Sequence, residues 1–170
     1  MSKIMRTLFF IPLVLMSLVS FPSWGLTIDD LVEREGIYYK KFSNVPFNGE
    51  IEGKSQGEFQ NGKRDGSWIN YHDNGQLRSK GDYKNGNRDG PWVFYWETGG
   101  LMFEGGYKDS KGLYWNKEGL WIAYHPGGHL WYKGIYKNDE REGVWIGYSQ
   151  YGEKDPIYTG TFKNGVKVSD

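Results

Sequence analysis

The feature that most constrains this sequence is an internal repeat with a period of 24 residues. The segment Gly81–Trp92 is identical to the segment Gly57–Trp68 at 7 of 12 positions. A fixed period of this length is typical of repeat arrays, in which every unit packs against its neighbours. We therefore interpret each residue first by its place in the repeat and only then as a possible site residue.

The array contains four fuller units and one partial unit, which begin at Gly57, Gly81, Gly105, Gly134 and Gly160. Every unit has an aromatic residue two places after its first glycine, and the fuller units then have a tryptophan and, three residues later, a tyrosine. The third unit is longer by five residues, inserted between Lys108 and Gly119. The residues that we assign to the repeat framework are Gly57, Trp68, Gly81, Tyr83, Asn85, Gly86, Gly90, Trp92, Tyr107, Trp121, Tyr136 and Trp145.

Two turns in each unit predict a chain of β-hairpins. Asn61-Gly62 and Asn85-Gly86 favour type I′ turns, which need a positive φ at both central residues. Asn74-Gly75, Gly99-Gly100 and Gly127-Gly128 supply the second turn, and the runs between turns have about six residues, a usual strand length. No amphipathic helical pattern follows Arg34. The sequence therefore predicts an all-β fold, an elongated single-layer antiparallel meander of roughly ten strands.

The turn positions also predict which residues face each other. A two-residue loop at Asn74-Gly75 places Trp68 opposite Gly81, and a two-residue loop at Gly99-Gly100 places Trp92 opposite Tyr107. Both registers put the tryptophans, tyrosines and framework glycines on one face, so we expect aromatic rings to lie over cross-strand glycines. The other face then carries Ile69, Tyr71, Val93, Tyr95, Ile122, Tyr124, Ile146 and Tyr148.

The first 56 residues differ from the repeats and divide into two segments. Residues 1–25 have basic residues, then an apolar run, then small residues before Leu26, which predicts a signal peptide cleaved after Gly25 and export to the periplasm or medium. Residues 26–56 are predicted to cap the array. Within this cap, Thr27–Arg34 is expected to form a short helix with Thr27 as N-cap and Asp30 completing a capping box. A strand is expected at Ile37–Phe42.

Composition excludes several classes of function. The chain has no cysteine, which excludes disulfides and thiolate chemistry. The formal net charge is zero, and removal of Lys3 and Arg6 with the leader leaves a slightly acidic chain, so we expect no nucleic-acid partner. We expect no cofactor, and no further segment long enough to span a membrane after the leader.

The aligned unit, Gly-x-Tyr-Lys-Asn-Gly-x-Arg-Asp-Gly-x-Trp, resembles the variant MORN repeat. It is the form found in the bacterial YwqK-family antitoxin group. The resemblance covers Gly57–Gly165, and the lead-in Tyr38–Gly49 looks like the usual opening of these proteins. It implies a binding or scaffolding protein, possible contact with lipid, and an antitoxin- or immunity-like role.

Two short motifs suggest chemistry, but neither has the required context. Gly-x-Ser-x-Gly at Ser55 matches a nucleophile elbow, which needs a helix after the serine, whereas a strand is predicted there. His125 and His129 flank a turn and could form a metal pair, yet no third ligand is specified nearby. A hydrolase that uses Ser55 or His125 is the least favoured of three hypotheses. We predict no catalytic, cofactor-binding or metal-ligating residue.

The aromatic residues that exceed the framework are the remaining candidates for binding. Trp96, Trp115 and Trp131 cluster in the second and third units, and Tyr95 and Tyr124 accompany them. Exposed aromatic rings can bind apolar groups of a partner, sugars or choline-like cations. The favoured hypothesis is a non-enzymatic exported module that binds a protein partner through this surface. The alternative is an envelope module that binds glycan or choline.

Overall fold

The structure, a computed structural model, describes residues 25–108 and 116–170. A 3-10 helix at Ile28–Asp30 precedes the strands. The strands are β1 Leu31–Arg34, β2 Ile37–Lys40, β3 Gly49–Ile51, β4 Ser55–Gln60, β5 Lys63–Tyr71, β6 Leu77–Lys84, β7 Asn87–Tyr95, β8 Leu101–Tyr107, β9 Lys117–Tyr124, β10 Leu130–Lys137, β11 Glu140–Gly147, β12 Gly160–Lys163 and β13 Val166–Ser169.

The strands from β3 to β13 form one antiparallel sheet in which the spatial order is the sequence order. β1 and β2 form a separate hairpin beside its first edge, where a bridge joins Tyr39 to Pro46. In the described ranges no helix or second sheet covers the long sheet. The predicted all-β single-layer meander is confirmed. The predicted leader, apart from Gly25, and most of the third unit's insertion lie outside the described residues.

The first turn of the first and second units is the predicted type I′ hairpin. Both central residues have positive φ, at 51° and 73° for Asn61-Gly62 and at 52° and 86° for Asn85-Gly86. Asn138-Asp139 and Asn164-Gly165 repeat this geometry. Because the backbone of these turns twists in the same sense as the strands, successive hairpins join without breaking the sheet.

The second turn is a three-residue loop, and this corrects one predicted register. The Trp96 N–H donates to the Gly100 carbonyl at 2.8 Å, and Gly99 has a φ of 84°. The left-handed residue is therefore Gly99, and the loop lies one residue earlier than predicted. With a further register shift between Phe94 and Tyr95, Trp92 pairs with Gly105, so its predicted pairing with Tyr107 is wrong. The predicted pairing of Trp68 with Gly81 is confirmed.

The predicted N-terminal helix is wrong beyond its first turn. The capping box is present, because the Asp30 carboxylate accepts hydrogen bonds from the Thr27 N–H and Oγ1 at 2.8 and 2.9 Å, which lowers the pKa of Asp30. Leu31–Arg34, however, is strand β1, paired with β2 and turned by Glu35-Gly36. An eight-residue helix is marginal in water, and pairing in a hairpin while burying Leu31 outweighs it.

One face of the sheet, which we call the inner face, carries the core. Trp68, Trp92, Trp121 and Trp145 are all buried there. A Cβ built on the preceding framework glycine (Gly57, Gly81, Gly105 or Gly134) would lie 2.1–2.4 Å from Cδ2 of the indole. Each indole therefore lies flat against the glycine of the strand before it, and the expected covering of cross-strand glycines by aromatic rings is confirmed. The opposite face is the outer face.

Candidate functional site

Cations cover the buried tryptophans of the inner face. The guanidinium carbons of Arg64, Arg88 and Arg141 lie 4.7, 4.7 and 5.1 Å from the indole ring centroids of their own units. In the third unit the Lys117 ammonium lies 4.8 Å from the ring of Trp121. In such cation–π contacts the ring attracts the charged group, and the aliphatic part of the Arg or Lys side chain covers the ring. The tryptophans are thus closed to a ligand, and what the inner face presents is a row of positive charge.

Tyrosines packed into the inner face predict a loss of stability at alkaline pH. Burial raises the pKa of Tyr132 to about 12 and raises the pKa of Tyr107 as well. Because these folded-state values lie above the unfolded value of about 10, the stability is present below pH 10 and is lost as the pH rises further. Burial lowers the pKa of Lys117, which acts in the opposite direction until the unfolded lysine titrates at about 10.4.

We therefore expect the midpoint of thermal unfolding to fall steadily between about pH 10.5 and 12. Tyrosinate absorbance should develop in two stages, first from exposed tyrosines and then together with unfolding. Circular dichroism recorded on the same samples measures the folded fraction. Complete tyrosine ionisation in a chain that is still folded would contradict the burial of these hydroxyls.

The acidic residue of the Arg-Asp-Gly motif binds the hairpin turn of the following unit in the first unit, and its equivalent does so in the fourth. The Asn85 N–H donates to the Asp65 carboxylate at 3.1 Å, and the Gly86 N–H donates to the Arg64 carbonyl at 2.8 Å. Glu142 accepts from the N–H of Asn164 in the same way at 3.0 Å. The motif therefore makes two kinds of contact. Its cation packs over the tryptophan of its own unit, and its acid accepts a hydrogen bond from the turn of the next unit. Sequence reasoning recognised the motif but not these roles.

Four of the five predicted binding residues lie along the edge formed by the three-residue loops. Trp96 is half-buried, and its Nε1 donates to the Tyr124 carbonyl at 3.2 Å. Trp131 is half-buried and stacks on His125, with ring centroids 5.3 Å apart. Tyr95 and Tyr124 are also half-buried. We call Tyr95, Trp96, Tyr124 and Trp131 the aromatic edge. Trp115 lies outside the described residues.

The histidines at this edge act as links between units. His72 Nε2 lies 2.9 Å from the Tyr95 carbonyl, and His125 Nε2 lies 2.8 Å from the Tyr148 carbonyl. His125 thus occupies the position of His72 in its own unit, as predicted, while His129 is exposed. Residues 25–108 and 116–170 hold no cluster of three or more potential metal ligands. The two imidazoles therefore have no third ligand there.

Ser55 lies within strand β4 and not on a strand-to-helix turn. Its hydroxyl donates to the Asn70 side-chain oxygen at 2.9 Å, and the Asn70 amide donates to Ser79 at 3.2 Å. Ser55 and Ser79 are equivalent positions of successive units, joined through one asparagine. The geometry of a nucleophile elbow is therefore absent at Ser55, and its hydroxyl has a structural partner.

The outer face carries a continuous row of side chains across eight strands, each directly opposite the next. Charged and β-branched residues alternate along its later part. The row consists of Gln56, Ile69, Lys80, Val93, Glu104, Ile122, Lys133 and Ile146. No salt bridge connects Glu104 or Lys133 to any other described residue. This alternation leaves unpaired charges of both signs at regular intervals on the outer face.

A groove and a ridge lie beside this row in the later units. The groove, of about 620 Å³, runs over β7–β9 and is lined by Pro91, Val93, Gly106 and Leu120 among others. Its floor is low because Gly106 has no side chain. On the other side of β9, Ile135 and Val144 project outward and are 50% and 70% exposed. In this region the outer face is therefore uneven and carries exposed apolar side chains beside the charged residues of the row.

Comparison with known proteins agrees with the repeat architecture. A family model described as a MORN repeat variant matches three successive segments, residues 64–85, 88–109 and 117–138. Each match begins at the cation that covers the tryptophan of its unit, so the repeated element matches both in period and in the role of its first residue. No curated protein matches the chain. Within the described ranges no helix is long and apolar enough to cross a membrane.

Proposed function

We propose, for a chain built of tandem MORN-type repeats, that the protein is a non-enzymatic module whose aromatic edge binds a protein partner. MORN repeats are generally binding modules, and Ser55 and His125, the two residues of this chain that resemble catalytic groups by motif, have structural hydrogen-bond partners. The finer assignments, export after cleavage at Gly25 and an antitoxin- or immunity-like role, belong to the same proposal. They rest on the leader pattern and on the resemblance to the YwqK group.

The observation that carries the proposal is the concentration of aromatic residues at one edge. The other three fuller units have smaller or more polar groups, His72, His125 and Ser149, at the position where the second unit has Trp96. Trp131 adds a second indole, which packs edge-on against Tyr158 at 5.8 Å. Rigid half-exposed aromatic rings supply contact area at a low entropic cost, so they are frequent energetic centres of protein interfaces.

The test is capture of a partner by the crosslinked protein and by a double variant, Trp96→Ser with Trp131→Ser. We expect a stoichiometric protein to be captured by the parent chain and the double variant to bind it at least about tenfold more weakly, since each substitution removes an interfacial aromatic anchor. Tyr71→Ser is the matched control, because Tyr71 is the first-unit equivalent of Tyr95 and lies outside the aromatic edge. Equal capture by all three proteins would refute the assignment of the surface.

A glycan or choline ligand remains the alternative hypothesis, because half-exposed indoles also bind sugars and quaternary ammonium groups. Titration with peptidoglycan fragments or choline, followed by tryptophan fluorescence, separates the two classes of ligand. A saturable change that disappears in the Trp96→Ser, Trp131→Ser variant, without capture of a protein, would favour the alternative.

A further inference from the structure

The outer face of β7–β11 has exposed apolar side chains where equivalent positions of the first unit are polar. Leu120 and Val144, which are 57% and 70% exposed, replace Ser67 of the first unit. Ile135 replaces Glu58 of the first unit and Asp82 of the second, and the Asp82 carboxylate accepts a hydrogen bond from Ser67 at 2.6 Å. Because the repeats otherwise share one framework, the framework itself does not require these apolar residues. Exposed apolar groups that are contiguous mark surfaces that become covered.

We propose that a second copy of this chain covers this surface, with the two outer faces packed together about a two-fold axis that runs along β9. Such a rotation places β8 of one copy over β10 of the other and β7 over β11. The interface is self-complementary, because every contact occurs twice. Three features of the described residues support this axis, namely charge, shape and the extent of the apolar area.

The charges on either side of β9 are opposite and lie at the same level. Glu104 on β8 and Lys133 on β10 are both directly opposite Ile122 of β9. Rotation about β9 therefore places Glu104 over Lys133 of the second copy, and Lys133 over Glu104 of the second copy. Neither side chain has a salt bridge to another described residue within its own chain. Association would supply both missing ion pairs and would fix the orientation of the copies.

The shapes on either side of β9 are complementary as well. The groove over β7 and β8 is bounded by Pro91 and floored by Gly106, whereas Ile135 and Val144 form the ridge over β10 and β11. The same rotation brings the ridge of each copy onto the groove of the other. Leu120 and Ile122 lie near the axis and meet their own equivalents. Interdigitation of this kind is how two sheet faces form a core between them.

An axis along β7 is the closest competitor, because Lys80 and Glu104 also lie on opposite sides of Val93. That axis would place Ser67 over the apolar region of β9, and would place Ile135 and Val144 over β4 and β3, where β4 carries the polar residues Gln56 and Glu58. The axis along β7 therefore pairs opposite charges but does not bring apolar side chains onto apolar side chains. The axis along β9 satisfies both, and Lys80 then lies outside the central contacts.

The size of the interface predicts a dimer that dissociates on dilution. Five strands spaced about 4.8 Å apart, each contributing roughly six residues at about 3.3 Å, give a face of about 24 by 20 Å. Two such faces bury on the order of 1,000 Å², which is at the lower limit for a specific interface. We therefore expect association in the micromolar range and not a permanent dimer.

Sedimentation velocity of the purified protein, at concentrations from about 1 to 200 μM, tests the proposal over the range expected for an interface of this size. The parent chain should pass from monomer to dimer. Glu104→Lys and Lys133→Glu each place like charges together twice and should weaken the dimer at least about tenfold. The double variant that combines both changes restores opposite charges and should again form the dimer. Lys80→Glu is the matched control and should behave as the parent does.

A parent chain that stays monomeric throughout would overturn the proposal. So would single variants that dimerise normally, or a double variant that stays monomeric while its circular dichroism is that of the folded chain. Loss of the dimer in Lys80→Glu would move the axis to β7 and overturn the axis proposed here. The inference is independent of the proposed function, because the Trp96→Ser, Trp131→Ser variant is expected to dimerise unchanged.

Discussion

Replacing Gly81 by alanine is expected to lower the free energy of unfolding by about 3 kcal/mol or more. The new Cβ would lie 2.3 Å from Cδ2 of Trp92, well inside contact distance. The indole has no room to move away, because it is only 1% exposed and lies under the Arg88 guanidinium, with the Tyr83 ring perpendicular to it at a ring-centroid distance of 5.0 Å. Denaturant unfolding followed by tryptophan fluorescence measures the loss.

Gly90→Ala is the matched control for this steric effect. Gly90 belongs to the same unit and has a φ of 66°, but a Cβ there meets no described atom within 4 Å. Its substitution should cost only the left-handed conformation, about 1–2 kcal/mol. Equal losses at Gly81 and Gly90 would show that the indole does not lie tightly on the preceding strand, and the packing of the inner face would need a different account.

The hairpin order and the burial of the tryptophans could be predicted because they follow from local chemistry repeated at a fixed period. Asn85-Gly86 specifies a type I′ turn by itself, since few other residue pairs tolerate positive φ at both positions. Once the turns are placed, the period of two along each strand assigns Trp92 and Tyr83 to one face. The repeat then supplies the same argument several times, which removes most ambiguity of register.

The register at Gly99-Gly100 failed because two adjacent glycines offer two possible left-handed residues. Either glycine can adopt positive φ without strain, so local chemistry does not decide between them. The choice is made by the loop, in which Gly99 takes the position of Gly75 in the first unit and of Gly128 in the third. Alignment of the second unit with the first places Gly99, and not Gly100, at the position of Gly75. A loop chosen by that alignment gives the correct pairing of Trp92 with Gly105.

The roles of the Arg-Asp-Gly motif and the outer-face surface could not be predicted from the sequence because both depend on contacts between units. The Asp65 carboxylate binds a backbone N–H 20 residues away, and only the completed sheet brings that turn within reach. Likewise, Leu120 is an unremarkable strand residue until Ile135 is placed opposite it on the next strand. The candidate binding residues could be assigned to the second and third units, but neither their place at one edge nor their hydrogen bonds could be predicted.

The second large effect that we expect concerns Trp92 and Trp145, which are equally buried but lie at different places in the array. Trp92→Ala removes a buried indole from β7 and should cost about 3–5 kcal/mol. Six strands of the sheet follow β7 and four precede it, so the loss falls on contacts that join the two halves. The thermal midpoint should fall strongly, and the whole array should unfold together.

Trp145→Ala removes the same side chain from β11, beyond which lie only the four-residue strands β12 and β13. Because stability in a repeat array is a sum of units and nearest-neighbour interfaces, the end of the array can open while the rest stays folded. The global thermal shift should therefore be smaller than for Trp92→Ala, although Trp145 is itself fully buried.

Hydrogen exchange measured by mass spectrometry distinguishes these two outcomes strand by strand. In Trp145→Ala, amide protection should be lost from β10–β13 and retained in β4–β7, whereas in Trp92→Ala it should fall throughout the sheet. A uniform loss of protection in both variants would contradict the array description, since it would mean that the sheet unfolds as one cooperative unit. In that case the units would not contribute separately, and the aromatic edge and the outer face of β7–β11 would have to be treated as coupled surfaces.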